Sequence, residues 1–184
     1  MASKKREFEN GGIYHIYNRG NHKERVFHHA EDYIRFLMRL HEYAERDGIT
    51  VLAYCVMTNH YHLLVKQNSD KPVSAMMRSL GVSYAKYFNW QYQAVGHVYQ
   101  GRYGSRAIND TADLANIAKY IHHNPASFTD PFRYRWSDLH ATCSSASDPL
   151  LATLGWSRSE YKTFCNNAIK NEVAQPTSKV TLIA

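Results

Sequence analysis

The stretch "YCVMTNHYHLLVKQ" at residues 54–67 decides the fold, because it predicts a β-hairpin around a short turn. Residues 49–57 are apolar and rich in β-branched side chains, as expected of a buried strand. Thr58 and Asn59 favour a tight turn, and residues 60–66 return as the next strand. The other elements are expected to assemble around this hairpin.

Two histidines lie on one face of the returning strand. Side chains alternate along a strand, so Tyr61, Leu63 and Val65 are expected to face the core. His60 and His62 then face the opposite side, where two imidazoles can bind one divalent cation. Because the chain has 11 histidines, about one such pair is expected by chance, so the pair also fits a polar, half-exposed strand face.

Five further segments flank the hairpin. They predict a strand over 11–20, helices over 30–48 and 73–93, one or two strands over 97–108, and a helix over 110–124. The first helix carries apolar residues at helical spacing, namely Ile34, Leu37, Met38 and Leu40. This order of elements predicts an α+β fold, a ferredoxin-like sandwich with a central antiparallel sheet.

The character of the sequence changes at residue 126, where a long, turn-rich connector begins. Ser157 and Glu160 predict a capping box for a last helix over about 158–172. We therefore expect a C-terminal helical extension to follow the α+β domain.

The third helix supplies candidate reactive groups beside its buried stripe, which is expected to consist of Leu114, Ile117, Ala118 and Ile121. Tyr120 and Asn124 lie one turn apart at the edge of this stripe, where a phenol and an amide oxygen can approach a metal. The alternative is a tyrosine that only packs and an asparagine that closes the helix before Pro125. His123 is expected to point away from the stripe and His122 to lie on the flank opposite Tyr120, so both are interpreted as incidental.

Charge and composition narrow the class of protein. The formal net charge of +6 fits a polyanionic partner such as nucleic acid, although many basic proteins bind none. The 3 cysteines include no CxxC pair, which argues against a disulfide framework or a cysteine zinc site. The sequence has no signal peptide and no apolar run of the roughly 18 residues that span a bilayer, so a cytoplasmic protein without membrane contact is expected.

Four motifs resemble those of one family. "YCVMTNHYHLLV" (54–65) resembles the HUH signature of single-strand DNA endonucleases, and "YIHHNP" (120–125) resembles the segment that carries the nucleophilic tyrosine of single-tyrosine transposases. Residues 14–37 and 96–108 are similar to the strands and helix that precede this segment. "FRYRWSDLHAT" and "GWSRSEYKTF", in the region after 125, are similar to the extension of REP-associated tyrosine transposases.

The resemblance implies an activity and a set of roles. His60, His62 and Asn124 match the ligands of a divalent metal ion, Mg²⁺ or Mn²⁺, and Tyr120 matches the nucleophile. Family members cleave single-stranded DNA, form a 5′-phosphotyrosine and release a 3′-hydroxyl, and they are thought to act on hairpins at repeated extragenic palindromes in bacteria.

The same resemblance predicts three regions. They are a flexible basic arm over 1–10, an HUH domain over 11–125, and the extension over 126–184. Relatives without the extension build shared sites in dimers, and a monomer is favoured here because the extension can complete one copy.

Four arginines are candidate DNA contacts. Arg102 and Arg106 are expected to share one strand face, Arg19 ends the first strand, and Arg6 belongs to the basic arm. Each of them also fits a solvated surface charge. Two other functions stay open at this point: a non-catalytic ferredoxin-like module that binds nucleic acid, and a metallonuclease that uses water.

Overall fold

Four strands form one antiparallel sheet in the computed structural model, which describes residues 7–145 and 147–174. The strands are β1 (Ile13–Arg19), β2 (Ile49–Val56), β3 (His60–Gln67) and β4 (Gly104–Ile108), in the order β2-β3-β1-β4. The hairpin of β2 and β3 is present as predicted, with β1 paired to its inner strand. This confirms the predicted α+β fold with a central antiparallel sheet.

Two helices cover one face of the sheet. They are α1 (Ala30–Asp47) and α2 (Val73–Gln91), and they pack on a core that includes Tyr61 and Leu63 of β3. The aromatic Tyr61 is only 2% exposed, so it packs in the core as expected.

The buried face of α1 does not coincide with the apolar residues whose spacing indicated the helix. Ile34 and Met38 are exposed, while Tyr33, Phe36 and Leu40 are buried. The rings of Tyr33 and Phe36 pack against other aromatic side chains, and this aromatic face, with its larger apolar area, occupies the core.

The opposite face of the sheet is covered by α3 (Thr111–His123) and by the extension. The side chain of Asp110 caps α3 by accepting a hydrogen bond from the Asp113 amide at 2.8 Å. The expectation that His123 points away from the buried side is wrong, because both His122 and His123 are buried. The extension supplies the polar contacts of His122, from the Tyr161 hydroxyl and from Asp138 Oδ1.

The extension contains more regular structure than a turn-rich connector. It forms α4 (Leu139–Ser144), α5 (Pro149–Leu154) and α6 (Arg158–Ala174), and the predicted capping box of Ser157 and Glu160 is present. Buried leucines of α4 and α5 share one core with β2, β3 and α3. The extension therefore packs against the sheet and α3, and it has no separate core of its own among the described residues.

Backbone hydrogen bonds tie the extension to the outer edge of β2. The Val56 amide donates to the Trp136 carbonyl at 2.9 Å, and the Asp138 amide donates to the Tyr54 carbonyl at 3.3 Å. No helix in 7–145 or 147–174 combines the length and apolar character needed to cross a membrane.

Candidate active site

The candidate site lies on the sheet face that α3 covers, where β1, β3 and β4 meet. Antiparallel pairing places Tyr17 of β1 opposite His62 on one side and opposite Gly104 on the other. Arg19 is paired with His60 in the same register. Paired residues project to the same face, so these side chains converge on one region.

His60 contacts two amide oxygens. Its Nε2 lies 2.9 Å from Asn124 Oδ1, and its Nδ1 lies 2.7 Å from Asn59 Oδ1. The amide orientations follow from their own donors, since Asn59 Nδ2 donates to the Lys23 carbonyl and Asn124 Nδ2 to the Tyr120 carbonyl.

Burial lowers the pKa of His60, so its imidazole is neutral at pH 7 and carries one N–H. A neutral ring can donate to only one of the two oxygens that it contacts. With the proton on Nδ1, the Nε2 lone pair faces the Asn124 oxygen, and two acceptors converge. A cation bound between these two atoms would relieve this repulsion, so the two residues fit a metal site.

His62 has one ring nitrogen engaged and one available. Its Nδ1 lies 2.9 Å from Nε2 of His15, a residue of β1 that is 7% exposed. Burial first, and then the neighbouring His15 and His60, hold the pKa of His62 well below its usual range. A neutral imidazole is the form that binds metal, and Nε2 is the nitrogen left for it.

The donor set of this site is two imidazole nitrogens and one amide oxygen, from His60, His62 and Asn124. A mixed set of nitrogen and oxygen donors fits a divalent cation, and its amide oxygen is the kind of ligand that Mg²⁺ and Mn²⁺ prefer. Among the described residues, no cluster of three or more histidine, cysteine, aspartate or glutamate side chains could hold a metal ion. The third candidate ligand, Asn124, is an asparagine and lies outside that set of residue types.

Tyr120 stands beside the histidines. Its ring meets the His62 ring edge-on with centroids 5.4 Å apart, and the His15 ring with centroids 6.1 Å apart. Its side chain is 37% exposed, so the phenol is open to solvent and to a substrate. The structure thus brings together all four residues predicted for catalysis and metal binding, which are Tyr120, His60, His62 and Asn124.

A cavity of about 460 Å³ opens next to the phenol. Its lining consists of Tyr17, Asn18, Arg19, His60, His62, Gln100, Gly101, Arg102, Gly104 and Tyr120. Two of the predicted DNA contacts, Arg19 and Arg102, therefore lie in the wall of the same cavity as the histidines.

The other two arginines do not line it. Arg106 forms an ion pair with Asp113 of α3 at 2.6 Å, and Arg6 lies outside the described residues. Arg102 does not share a strand face with Arg106, because β4 begins only at Gly104. The residues before β4 bend over the end of β1, where the Asn18 side-chain amide donates to the Gly101 carbonyl at 3.2 Å.

Several residues of the site were not predicted from sequence, among them His15, Asn59 and Gly104. The alternation of residues 11–20 places His15 on one strand face with Tyr17, which is the only local signal for it. Its contact with His62 depends on the register between β1 and β3, which the sequence does not specify. A Cβ on Gly104 would lie 2.3 Å from Tyr17 Cζ, a restriction visible only once the strands are paired.

Comparisons with known proteins assign the chain to a protein family. The model of the family described as "Transposase IS200 like" matches residues 10–124. No curated protein matches the chain. A solved REP-associated tyrosine transposase bound to a REP hairpin shares the fold, with 18% identity, a TM-score of 0.66, and coverage of 82% of this chain and 90% of that one.

A putative transposase from Deinococcus radiodurans R1 is also similar, with 18% identity, a TM-score of 0.46, and coverage of 66% of this chain and 97% of that one. The family model spans well over half of the sequence, including the histidine strand and the tyrosine helix. The chain belongs to the family of IS200-like transposases.

Proposed function

We propose that this transposase is a metal-dependent, single-stranded DNA endonuclease and strand transferase that forms a 5′-phosphotyrosine through Tyr120. The observation that carries the proposal is the contact of 2.9 Å between His60 Nε2 and Asn124 Oδ1. This contact brings the end of α3 to the histidine strand, and Tyr120 lies one turn earlier on the same helix.

In the cleavage step, the Tyr120 phenol loses its proton and its oxygen bonds to the scissile phosphorus. The bond from phosphorus to the 3′ oxygen breaks, and this oxygen takes up a proton to become a 3′-hydroxyl. The phosphotyrosine linkage is itself a phosphodiester, so the energy of the broken DNA bond is conserved. A 3′-hydroxyl can therefore attack this linkage in reverse and rejoin strands without a nucleotide triphosphate.

His60, His62 and Asn124 would hold a divalent ion, Mg²⁺ or Mn²⁺. When bound there, the ion would supply positive charge to offset the charge that builds on the phosphate oxygens. Arg19 and Arg102 add further positive charge in the wall of the cavity. The Tyr17 ring, in the same wall, offers a surface on which a base can stack.

The substrate we propose is hairpin-forming single-stranded DNA, as found at repeated extragenic palindromes. The structurally similar transposase was solved with a REP hairpin, and the extension of the present chain resembles that of such enzymes. Residues 11–125 form the HUH domain in this proposal, 1–10 a basic arm, and 126–184 an extension that completes a monomer.

Covalent capture tests the activity. Protein, Mn²⁺ and a labelled hairpin oligonucleotide are mixed and separated on a denaturing gel, where a protease-sensitive shifted band is expected. The band should vanish in Tyr120→Phe, which keeps the ring. Cleavage without a covalent band would instead identify a nuclease that uses water, and binding with neither product would identify a binding module.

Mixing two inactive variants tests the monomer. Tyr120→Phe lacks the nucleophile and His62→Ala lacks a proposed ligand, so dimers with shared sites would regain activity on mixing. We expect no recovery and a monomer mass by light scattering. Recovered covalent product would show that the site is shared between two copies.

A further inference from the structure

We propose that His15 is a positioning residue for the metal site, which fixes the ring orientation and the tautomer of His62 so that Nε2 of His62 is free for the cation. This inference rests on the proposed function, because it concerns the metal ligands assigned there. It adds a residue from β1, a strand that supplies neither a proposed ligand nor the nucleophile.

The contact is direct and sealed from water. His15 Nε2 lies 2.9 Å from His62 Nδ1, and the two rings are stacked with centroids 5.1 Å apart. The side chains are 7% and 8% exposed, so water cannot readily replace either partner. A buried imidazole that loses its partner leaves a polar atom unsatisfied, which favours the one ring orientation that keeps the bond.

The chemistry of a hydrogen bond between two neutral imidazoles assigns the protons. One nitrogen must donate and the other accept. A metal ligand needs a lone pair on the nitrogen that faces the cation, so His62 must carry its proton on Nδ1 and donate it to His15 Nε2. His15 then carries its own proton on Nδ1. In this arrangement, the bond holds His62 in the tautomer that can bind metal through Nε2.

His60 shows the same arrangement with a different partner. Asn59 Oδ1 lies 2.7 Å from His60 Nδ1, on the ring side opposite the contact with Asn124. Each histidine of the pair thus has its Nδ1 held by a protein group and its Nε2 directed elsewhere. The repetition of this pattern on both ligands supports a positioning role for His15.

The fold holds His15 firmly in place. It is paired with Leu64 on β3 and with Arg106 on β4, so its backbone belongs to the middle of the sheet. Arg106 in turn forms its ion pair with Asp113 of α3. The Tyr17 and Tyr120 rings flank the His15 ring at centroid distances of 5.2 Å and 6.1 Å, which limits its rotation.

Two variants separate the hydrogen bond from packing. His15→Phe keeps an aromatic ring but has no acceptor, whereas His15→Gln has no ring but can place an amide oxygen near the position of Nε2. We expect Mn²⁺ affinity, measured by titration calorimetry without DNA, to fall about 10- to 100-fold in His15→Phe. It should stay within a few-fold of wild type in His15→Gln.

Nitrogen-15 NMR of the imidazoles supplies a second readout. In metal-free wild-type protein, His62 should be protonated at Nδ1, and this fixed tautomer should be lost in His15→Phe. The wild-type spectrum needs no variant to fold, so a His62 protonated at Nε2 overturns the inference by itself. Equal losses of Mn²⁺ affinity in both variants would also overturn it, since packing would then explain them.

His60→Ala separates this inference from the proposed function. If His60→Ala abolishes Mn²⁺ binding while folded His15→Phe binds like wild type, the metal site stands and the role of His15 is wrong. If His60→Ala binds Mn²⁺ like wild type, the proposed metal site itself is wrong.

Discussion

In each proposed ligand histidine, one ring nitrogen contacts a protein group and the other is the proposed metal-binding atom. Nδ1 is held by His15 in the case of His62 and by Asn59 in the case of His60. Burial keeps the rings neutral by lowering their pKa values. In the proposed site, this division would fix which lone pairs face the cation before any substrate arrives, and preorganised ligands reduce the cost of binding a cation.

Replacing the amide oxygen of Asn124 should weaken metal binding. We expect Asn124→Ala to reduce Mn²⁺ affinity about 10-fold or more, because one oxygen ligand is lost and the His60 ring loses a contact. Asn124→Asp is the matched control, and its carboxylate should bind Mn²⁺ at least as tightly as wild type. Unchanged affinity in Asn124→Ala would remove this residue from the ligand set.

Adding a methyl group at Gly104 should disturb the cavity through Tyr17. The new Cβ would lie 2.3 Å from Tyr17 Cζ, so the ring must move. Because His15 and His62 lie close to this ring, we expect it to rotate into the cavity and to reduce covalent product about 10- to 100-fold.

Tyr17→Ala in the Gly104→Ala background provides the control, since it removes the clash. In a double-mutant cycle on the yield of covalent product, the free-energy loss of the double variant should be smaller than the sum of the losses in the two single variants. Additive losses would mean that Gly104 acts independently of Tyr17.

At this scale, the sequence predicts residues whose position depends on local periodicity. His60 and His62 follow from alternation along a strand, and Tyr120 and Asn124 from the spacing of one helical turn. His15 could not be predicted, because its contact depends on the register between β1 and β3. Pairing register is a long-range property that a single strand does not specify.

The elements next to the site are held by a polar network between α3 and the extension. His122 is fully buried, with Nδ1 2.8 Å from the Tyr161 hydroxyl of α6 and Nε2 2.9 Å from Asp138 Oδ1. Asp138 also accepts a hydrogen bond from the Tyr54 amide of β2 at 2.8 Å. The helix that carries Tyr120 is therefore joined to the sheet through residues of the extension.

Removing the Tyr161 hydroxyl should destabilise this network. In Tyr161→Phe, the buried Nδ1 of His122 loses its partner, and we expect the free energy of unfolding to fall by about 1–3 kcal/mol. Urea unfolding measures the change.

Tyr99→Phe is the matched control. The Tyr99 hydroxyl is buried without a hydrogen-bond partner within the described residues, so its removal should leave stability unchanged or slightly raised. Similar losses in the two variants would show that the bond to His122 adds nothing beyond packing.

Most elements could be predicted, and the errors have one physical cause. The hairpin, the helices α1 to α3 and the capping box of α6 follow from periodicity and capping residues. The outward orientation predicted for His123 was wrong, and the apolar spacing of α1 did not show which of its residues are buried, because both depend on which distant element packs there. A local pattern shows that a helix has an apolar face, but it does not show which other side chains of the helix are buried by distant elements.

For the whole molecule, the buried histidines make stability depend on pH. Burial lowers the pKa values of His15 and His123 from 6.5 to about 4. The unfolded chain therefore binds protons between pH 6.5 and 4 that the folded protein does not bind, and acid favours unfolding. In this window, each such histidine should lower the free energy of unfolding by up to about 1.4 kcal/mol per pH unit.

Urea unfolding between pH 7 and pH 5.5 measures this slope, and His123→Leu is the informative variant. Neither ring nitrogen of His123 has a hydrogen-bond partner in the part of the chain that the structure describes. We expect the variant to be at least as stable as wild type at pH 7 and to show a shallower loss on acidification. A slope equal to that of wild type would contradict the lowered pKa of His123.

The backbone hydrogen bonds between the extension and β2 also affect the tendency of the protein to aggregate. An outermost strand normally exposes unused amides and carbonyls that can recruit a foreign strand, a common start of fibrous aggregation. Here Trp136 and Asp138 already occupy the backbone groups of Val56 and Tyr54, and an irregularity between Val51 and Ala53 distorts the remainder of β2. This border of the protein is thus a poor template for intermolecular polymerisation.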